Sequence, residues 1–279
     1  MVKIVALMVL FMGMIFMLVT NIAASRTGRP GVNPLSKIGG GIVDLLNGAD
    51  RLAPDLSDTL SRVEANLPKL GSEGASTDGP PNFAGADFSG QDKKEAVFAG
   101  AEMPDALFIN TLLDGATFEG ATAERAVLKK ARLESASLDA AIFREADFAE
   151  AGLRGATARA ADLSGAAFVG ADLSFAKFSS AIAEGADFTG AYATGASFVD
   201  ARLGGANFAG ADLTGVRFAG ADLSKVAFAG AKIDRADFAG ARIGGADLSG
   251  ATGAGADQFS NACADDETKL PAGISAAES

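Results

Sequence analysis

From residue 81 to about 255 the apolar positions of this chain keep a rhythm of five. The first residue of the unit is Ala in 30 of 35 units. The third is Phe in 15, Leu in 11, Ile in two and Met in one, and the fifth is Gly in 20. A period of five suits neither common element. In an α-helix five residues turn through about 500°, so a recurring apolar residue drifts around the axis. In a continuous strand an odd period throws it onto alternate faces. Each unit must therefore contain its own corner. The first and third positions, two apart, face inward from a short extended piece. The second faces outward, and most units carry Asp, Asn, Thr, Ser, Lys or Arg there. The fourth and fifth make the turn, where Gly accepts positive φ. The pattern predicts coils that stack into an all-β solenoid.

A second period, of twenty, predicts four sides per coil. One column of third positions reads Phe88, Phe108, Leu128, Phe148, Phe168, Phe188, Phe208, Phe228, Leu248. The column ten residues on reads Phe98, Phe118, Leu138, Ala158, Phe178, Phe198, Phe218, Phe238. The two columns between them hold mainly Leu, Ile and Ala, as at Leu113, Leu133, Leu153, Leu173, Leu203, Leu223 and Ile243. With four units to a turn, Phe ladders fill one pair of opposite sides and Leu ladders the other.

These residues resemble the pentapeptide-repeat proteins, whose pattern A-(D/N)-(L/F)-x-x stands here as Ala161-Asp162-Leu163 and Ala236-Asp237-Phe238. The resemblance covers residues 81–255. It implies a right-handed quadrilateral β-helix of nearly nine coils. At about 4.8 Å per stacked strand, the rod is on the order of 42 Å long.

Irregular units carry their own expectations. Gln91-Asp92-Lys93-Lys94-Glu95 puts Lys93 at a core position, where an unpaired charge is costly. This predicts an open first coil, with the regular helix starting near Ala96. Ala123, Ala158, Ala183 and Ala193 underfill their sites, and Val216 and Val226 replace Ala. At the far end Gly253 lacks a core side chain, and Gln258-Phe259 breaks the frame. Phe259, Leu270 and Pro271 are expected to cap the last coil, because open edges invite pairing. Residues 256–279 form this cap and a polar tail.

Before the repeat the pattern changes. Residues 4–24 carry no charge, long enough for a membrane-spanning helix of about twenty residues. The expected organisation is a transmembrane anchor at 1–25 and a linker with a short helical connector at 26–80. A cleaved signal is the alternative for the first segment, although cleavage after Ala24 would leave bulky Ile22 at the −3 position. Arg26, Arg29 and Lys37 follow the segment and Lys3 precedes it, a weak lean to a cytoplasmic rod at a bacterial inner membrane. In the connector, Ile42, Leu45, Ala49, Leu52, Leu56, Leu60, Val63 and Leu67 recur at helical spacing.

Composition narrows the chemistry. The chain has no His, no Trp, one Tyr and one Cys. That excludes imidazole chemistry, a Cys-x-x-Cys pair and an internal disulfide. No catalytic constellation, cofactor motif or metal-ligand spacing is present. The formal charge is −11, which argues against a nucleic-acid clamp. Residues 81–255 hold 23 acids and 16 bases, a net of −7. One basic group, Arg125, Lys129, Lys130 and Arg132, lies among Glu124, Glu134 and Asp139. These bases and the connector residues Leu52, Leu56 and Leu60 are the candidate docking residues for an unidentified protein partner.

The expected function is a non-enzymatic scaffold, a rigid rod tethered to a membrane. The resemblance supplies a rival, because some pentapeptide-repeat proteins imitate duplex DNA and protect type II topoisomerases. DNA carries one negative charge per about 1.7 Å, so a rod of this length would need about 25. The net of −7 falls well short. A secreted or envelope protein with a cleaved signal is the third reading.

Overall fold

The computed structural model describes residues 79–274 and 277–278. The segment 1–78, including the expected anchor and connector, lies outside the described residues. Among the described residues, no helix is long and apolar enough to cross a membrane. The backbone repeats one motif, a bridging residue followed by a two-residue turn. The bridges are parallel and join residues twenty apart, from Asn82–Glu102 to Lys232–Thr252. Four units therefore close one coil. We number its sides 1 to 4, as the units beginning at Ala161, Ala166, Ala171 and Ala176.

The hydrogen bonds explain the five-residue rule. On side 2 the Phe168 N–H donates to Asp187 O in the next coil (2.6 Å), and the Asp187 N–H donates back to Ala166 O (2.9 Å). The Gly170 N–H donates to Thr189 O (2.9 Å), and the Ala171 N–H closes the turn on Phe168 O (3.0 Å). The fourth residue's N–H has no place in this ladder. Asp or Asn at the second position accepts it, as Asp187 Oδ1 does from Thr189 N (3.0 Å), and Asn207 Oδ1 from Ala209 N (3.0 Å). The preference for Asp and Asn thus has a backbone cause, a local side-chain acceptor for an otherwise unbonded N–H.

The fifth residue has positive φ in every unit from Gly85 to Gly245. This is the third residue of a type II turn, where a left-handed conformation is required. Fifteen of these positions are not Gly; Ala160 (φ +53°), Phe175 (+59°) and Lys225 (+59°) are examples. Each such residue costs about 1 kcal/mol relative to Gly.

Inside, the two Phe columns pack in two modes. Within a column the rings stack, with centroids 4.9 Å apart for Phe168–Phe188 and 4.5 Å for Phe188–Phe208. Between columns they meet edge to face, at 5.7 Å for Phe188–Phe198. Both arrangements suit the ring quadrupole. Coil 141–160 inverts the pattern, with Phe143 in a Leu column and Ala158 in a Phe column. Phe143 tilts against Phe148 (5.3 Å) and meets Phe118 edge-on (5.8 Å), which ties this extra ring into both Phe columns.

Both ends differ from the expectation. The first coil is regular from Asn82: Lys93 N donates to Leu112 O (2.8 Å), and Asp92 bridges Leu112. Lys93 is tolerated because it lies in the first coil of the described residues, at the end of their ladder. Its side chain stays partly exposed, and its ammonium stands 5.7 Å from the centre of the Phe88 ring. At the other end the ladder runs past 255, with bridges Arg242–Cys263 and Asp247–Lys269. Their spacings of 21 and 22 show one inserted residue before each. The first is absorbed by a 3-10 turn, η1 (Ala256–Phe259). Phe259 leaves the sequence frame, yet it continues the column, stacked 4.8 Å from Phe238. Pro271 is buried and Leu270 half-buried against the core beyond it. A two-residue parallel pair, β1 (Cys263–Ala264) and β2 (Ala277–Glu278), lies at this end.

Candidate interaction surface

The core ladder presents no chemistry to a partner. Phe88, Phe98, Phe108, Phe118, Phe148, Phe168, Phe178, Phe188, Phe198, Phe208, Phe218, Phe228 and Phe238 are all buried. Recognition must use the second, fourth and fifth positions.

Much of the charge there is locally neutralised. Twelve different acids of residues 81–255 form ion pairs, from Asp92–Lys94 to Asp247–Lys269. Asp222 pairs with Arg242, its neighbour one coil on, whereas Arg202 reaches Glu184 instead (2.5 Å). Such exposed pairs are individually weak. Acids without an ion pair among the described residues, such as Asp87, Glu102, Asp172 and Asp237, fall on sides 2, 1, 3 and 4. No side gathers them.

The basic group of the sequence is dispersed in the same way. Arg125 lies at the corner after side 1, Lys129 and Lys130 at the corner after side 2, and Arg132 on side 3. Each has its own acid: Asp105 (2.8 Å), Asp147 (2.9 Å), Glu150 (3.5 Å) and Asp114 (2.9 Å), respectively. The Arg125 guanidinium, hydrogen-bonded to Asp105, holds that carboxyl below its ordinary pKa. These four bases form no single free patch. Leu52, Leu56 and Leu60 lie outside the described residues.

A different surface stands out. The large hydrophobic residues exposed among the described residues are Val97, Val169, Phe175 and Tyr192. Three of them frame side 3 in two successive coils. Val169 (39% exposed) is at the corner entering it, Tyr192 (60%) at its centre one coil on, and Phe175 (52%) at the corner leaving it. Tyr192 bridges Asp172 on one side and Asp212 on the other, so a carboxylate flanks the phenol in each adjacent coil. The Phe175 ring lies over the next coil, so close that a Cβ on Gly195 would meet it at 2.9 Å. The Arg154 guanidinium stands 5.1 Å from the centre of that ring. Below Asp172 in the same column is Gly152, which leaves the adjoining surface bare.

The two carboxylates are partly committed. Asp172 Oδ1 accepts from the Ser174 N–H (2.9 Å), and Asp212 Oδ1 from the Thr214 N–H (3.1 Å) and hydroxyl (2.7 Å). The Thr214 hydroxyl is the leading cause that lowers the Asp212 pKa, reinforced by the Thr214 N–H and Lys232 against partial burial. Asp172 has no cationic partner among the described residues, and Lys232 is 3.9 Å from Asp212 Oδ2. The face therefore offers apolar area, two aromatic rings and negative charge. Among the described residues no cluster of acids and Cys could hold a metal ion, and Cys263 is exposed.

The sequence carried a signal for this band that periodicity reasoning passed over. Tyr192 is aromatic where the repeat wants a polar residue, and Phe175 is bulky where it wants Gly. In a repeat, the informative hydrophobic residues are those out of phase with the core.

A family model described as pentapeptide repeats matches in 8 copies, which together span residues 82–266. No curated protein matches the chain in sequence. Among solved structures, a trypsin-treated form of QnrB1, a plasmid-mediated fluoroquinolone resistance protein, is 20% identical, with a TM-score of 0.44. That match covers 71% of this chain and 90% of that one. HetL of the cyanobacterium Nostoc sp. strain PCC 7120, involved in heterocyst differentiation regulation, is 24% identical over 65% of this chain and 86% of its own, with a TM-score of 0.30. A pentapeptide repeat protein from the thylakoid lumen of Arabidopsis thaliana is 37% identical over 34% of this chain and 67% of its own, with a TM-score of 0.24.

Proposed function

The chain belongs to the pentapeptide-repeat family, and from that premise we propose that it is a non-enzymatic scaffold, held at a membrane by residues 4–24 and offering its rod to a protein partner. The observation that carries the protein-binding part is the band of Val169, Tyr192 and Phe175. Exposed aromatic residues with a neighbouring Arg are the residue types that dominate protein interfaces. The membrane part rests on the uncharged run before Arg26, long enough to span the hydrocarbon core. The location proposed is a bacterial inner membrane with the rod on the cytoplasmic side.

Duplex-DNA imitation is the rival. It finds little support in a surface where 12 of the 23 acids of residues 81–255 are paired with bases and the others are spread over all four sides. The scaffold reading is tested by expressing the whole chain in bacteria and washing the membranes with alkaline carbonate. Retention in the membrane pellet, with a mature mass that includes residues 1–24, is the expected result. A mature chain starting near Ser25 would replace the anchor with a cleaved signal. Potent inhibition of gyrase supercoiling by the purified protein would revive the DNA-mimic reading.

A further inference from the structure

We propose that side 3, around Tyr192, is a docking site for a polypeptide segment that presents an arginine or lysine side chain. The inference rests on the scaffold reading and supplies the chemistry of its partner. Tyr192 gives a ring open to solvent at the centre of a flat side. Asp172 and Asp212 are its bridge partners in the coils on either side, about 4.8 Å away along the rod. A cation over the phenol ring would lie between two carboxylates, and ring face and charge would attract it together. Each carboxylate uses Oδ1 to hold its own turn, which leaves Oδ2 of Asp172 to face a ligand. Val169 and Phe175, at the two corners, bracket the same side with apolar surface for the rest of the segment.

The side already shows a preference of this kind. Arg154 comes from the coil below and settles over Phe175, an intramolecular guanidinium on an exposed ring. The bare Gly152 beneath Asp172 leaves room for a backbone to run along the column. Asp172 has no cation among the described residues and Asp212 has only Lys232 at 3.9 Å, so the charge beside Tyr192 is net negative and charge complementarity selects a basic occupant.

The protein supplies its own reporter, because Tyr192 is the only Tyr and there is no Trp. The full-length chain in detergent micelles is titrated with Ac-GRGRGRG-amide, its lysine counterpart and its glutamate counterpart. Tyr192 fluorescence and the anisotropy of labelled peptide are both read. The cationic peptides should change the Tyr192 signal saturably and the glutamate peptide should not. The double variant Asp172→Asn, Asp212→Asn keeps both Oδ1 acceptors, and so the turns, while removing the charge. It should weaken binding about tenfold. The control Asp162→Asn, Asp222→Asn removes the same charge from side 1 and should change affinity less than twofold. Equal weakening in the two variants would mean diffuse attraction and overturns the site. Absence of saturable binding by either cationic peptide also overturns it. If a photo-crosslinker placed elsewhere on the rod then traps a partner, the scaffold reading stands and only this occupant is lost.

Discussion

Replacing Phe208 with Ala tests the interior at its most regular point. The ring is wholly buried. It stacks on Phe188 at 4.5 Å and on Phe228 at 5.6 Å, and meets Phe198 and Phe218 edge-on at 5.9 and 5.7 Å. Truncation removes all four ring contacts and leaves a cavity between two coils. Those coils are clamped by ladder bonds, 2.7 Å for Phe188 N to Asn207 O and 2.8 Å for Phe208 N to Ala227 O, so they have little freedom to collapse. The expected loss is therefore in the upper part of about 3–5 kcal/mol. Phe208→Leu should cost only about 1–2 kcal/mol, because Leu already occupies this column at Leu128 and Leu248. Urea unfolding followed by Tyr192 fluorescence measures both. A stacked solenoid also predicts where the damage appears, since each coil is stabilised by its neighbours alone. Amide exchange should quicken first in the coils next to residue 208. A loss for Phe208→Ala below about 1 kcal/mol, with exchange unchanged there, would refute the inward ladder and the nearest-neighbour account together.

Three further results follow from the same geometry. Asp187→Ala frees the Thr189 N–H that the carboxylate holds at 3.0 Å and should cost about 1 kcal/mol, whereas Asp187→Asn should be nearly neutral; equal effects in urea melts would deny the turn-holding role. Ala160→Gly relieves a left-handed residue at φ +53° and should stabilise the rod by up to about 1 kcal/mol, measured as a raised urea midpoint. The pH dependence has a definite sign. Asp247 is held down to about 2 by the Ser249 hydroxyl first, then Lys269 and the Ser249 N–H, and Asp212 and Asp265 are lowered as well. A lowered carboxyl contributes stability that is present above its unfolded value of about 3.9 and lost as pH falls through the folded value. With no His to titrate, the urea midpoint should be flat from about pH 5 to 8 and fall between about pH 4 and 2; a marked slope near pH 6.5 would contradict this.

The architecture was legible in the sequence because a solenoid repeats its physics locally. A period of five forces a corner, a period of twenty forces four sides, and the Phe and Leu columns follow from those two facts. Tertiary structure decided what depends on neighbours in adjacent coils. Lys93 violates the repeat yet keeps the first described coil regular, because its side chain stays partly exposed and its ammonium stands by the Phe88 ring. Phe259 breaks the frame yet rejoins its column, because one 3-10 turn absorbs the extra residue and stacking on Phe238 rewards the fit. Arg125, Lys129, Lys130 and Arg132 read as one cluster along the chain, but corners turn them to different directions, and acids in the coils above and below pair with them. Val169, Phe175 and Tyr192 come together for the converse reason. Tyr192 lies one coil on from the other two and joins them only when coils stack, because proximity on this rod is measured in steps of twenty residues and sequence adjacency ends at each corner.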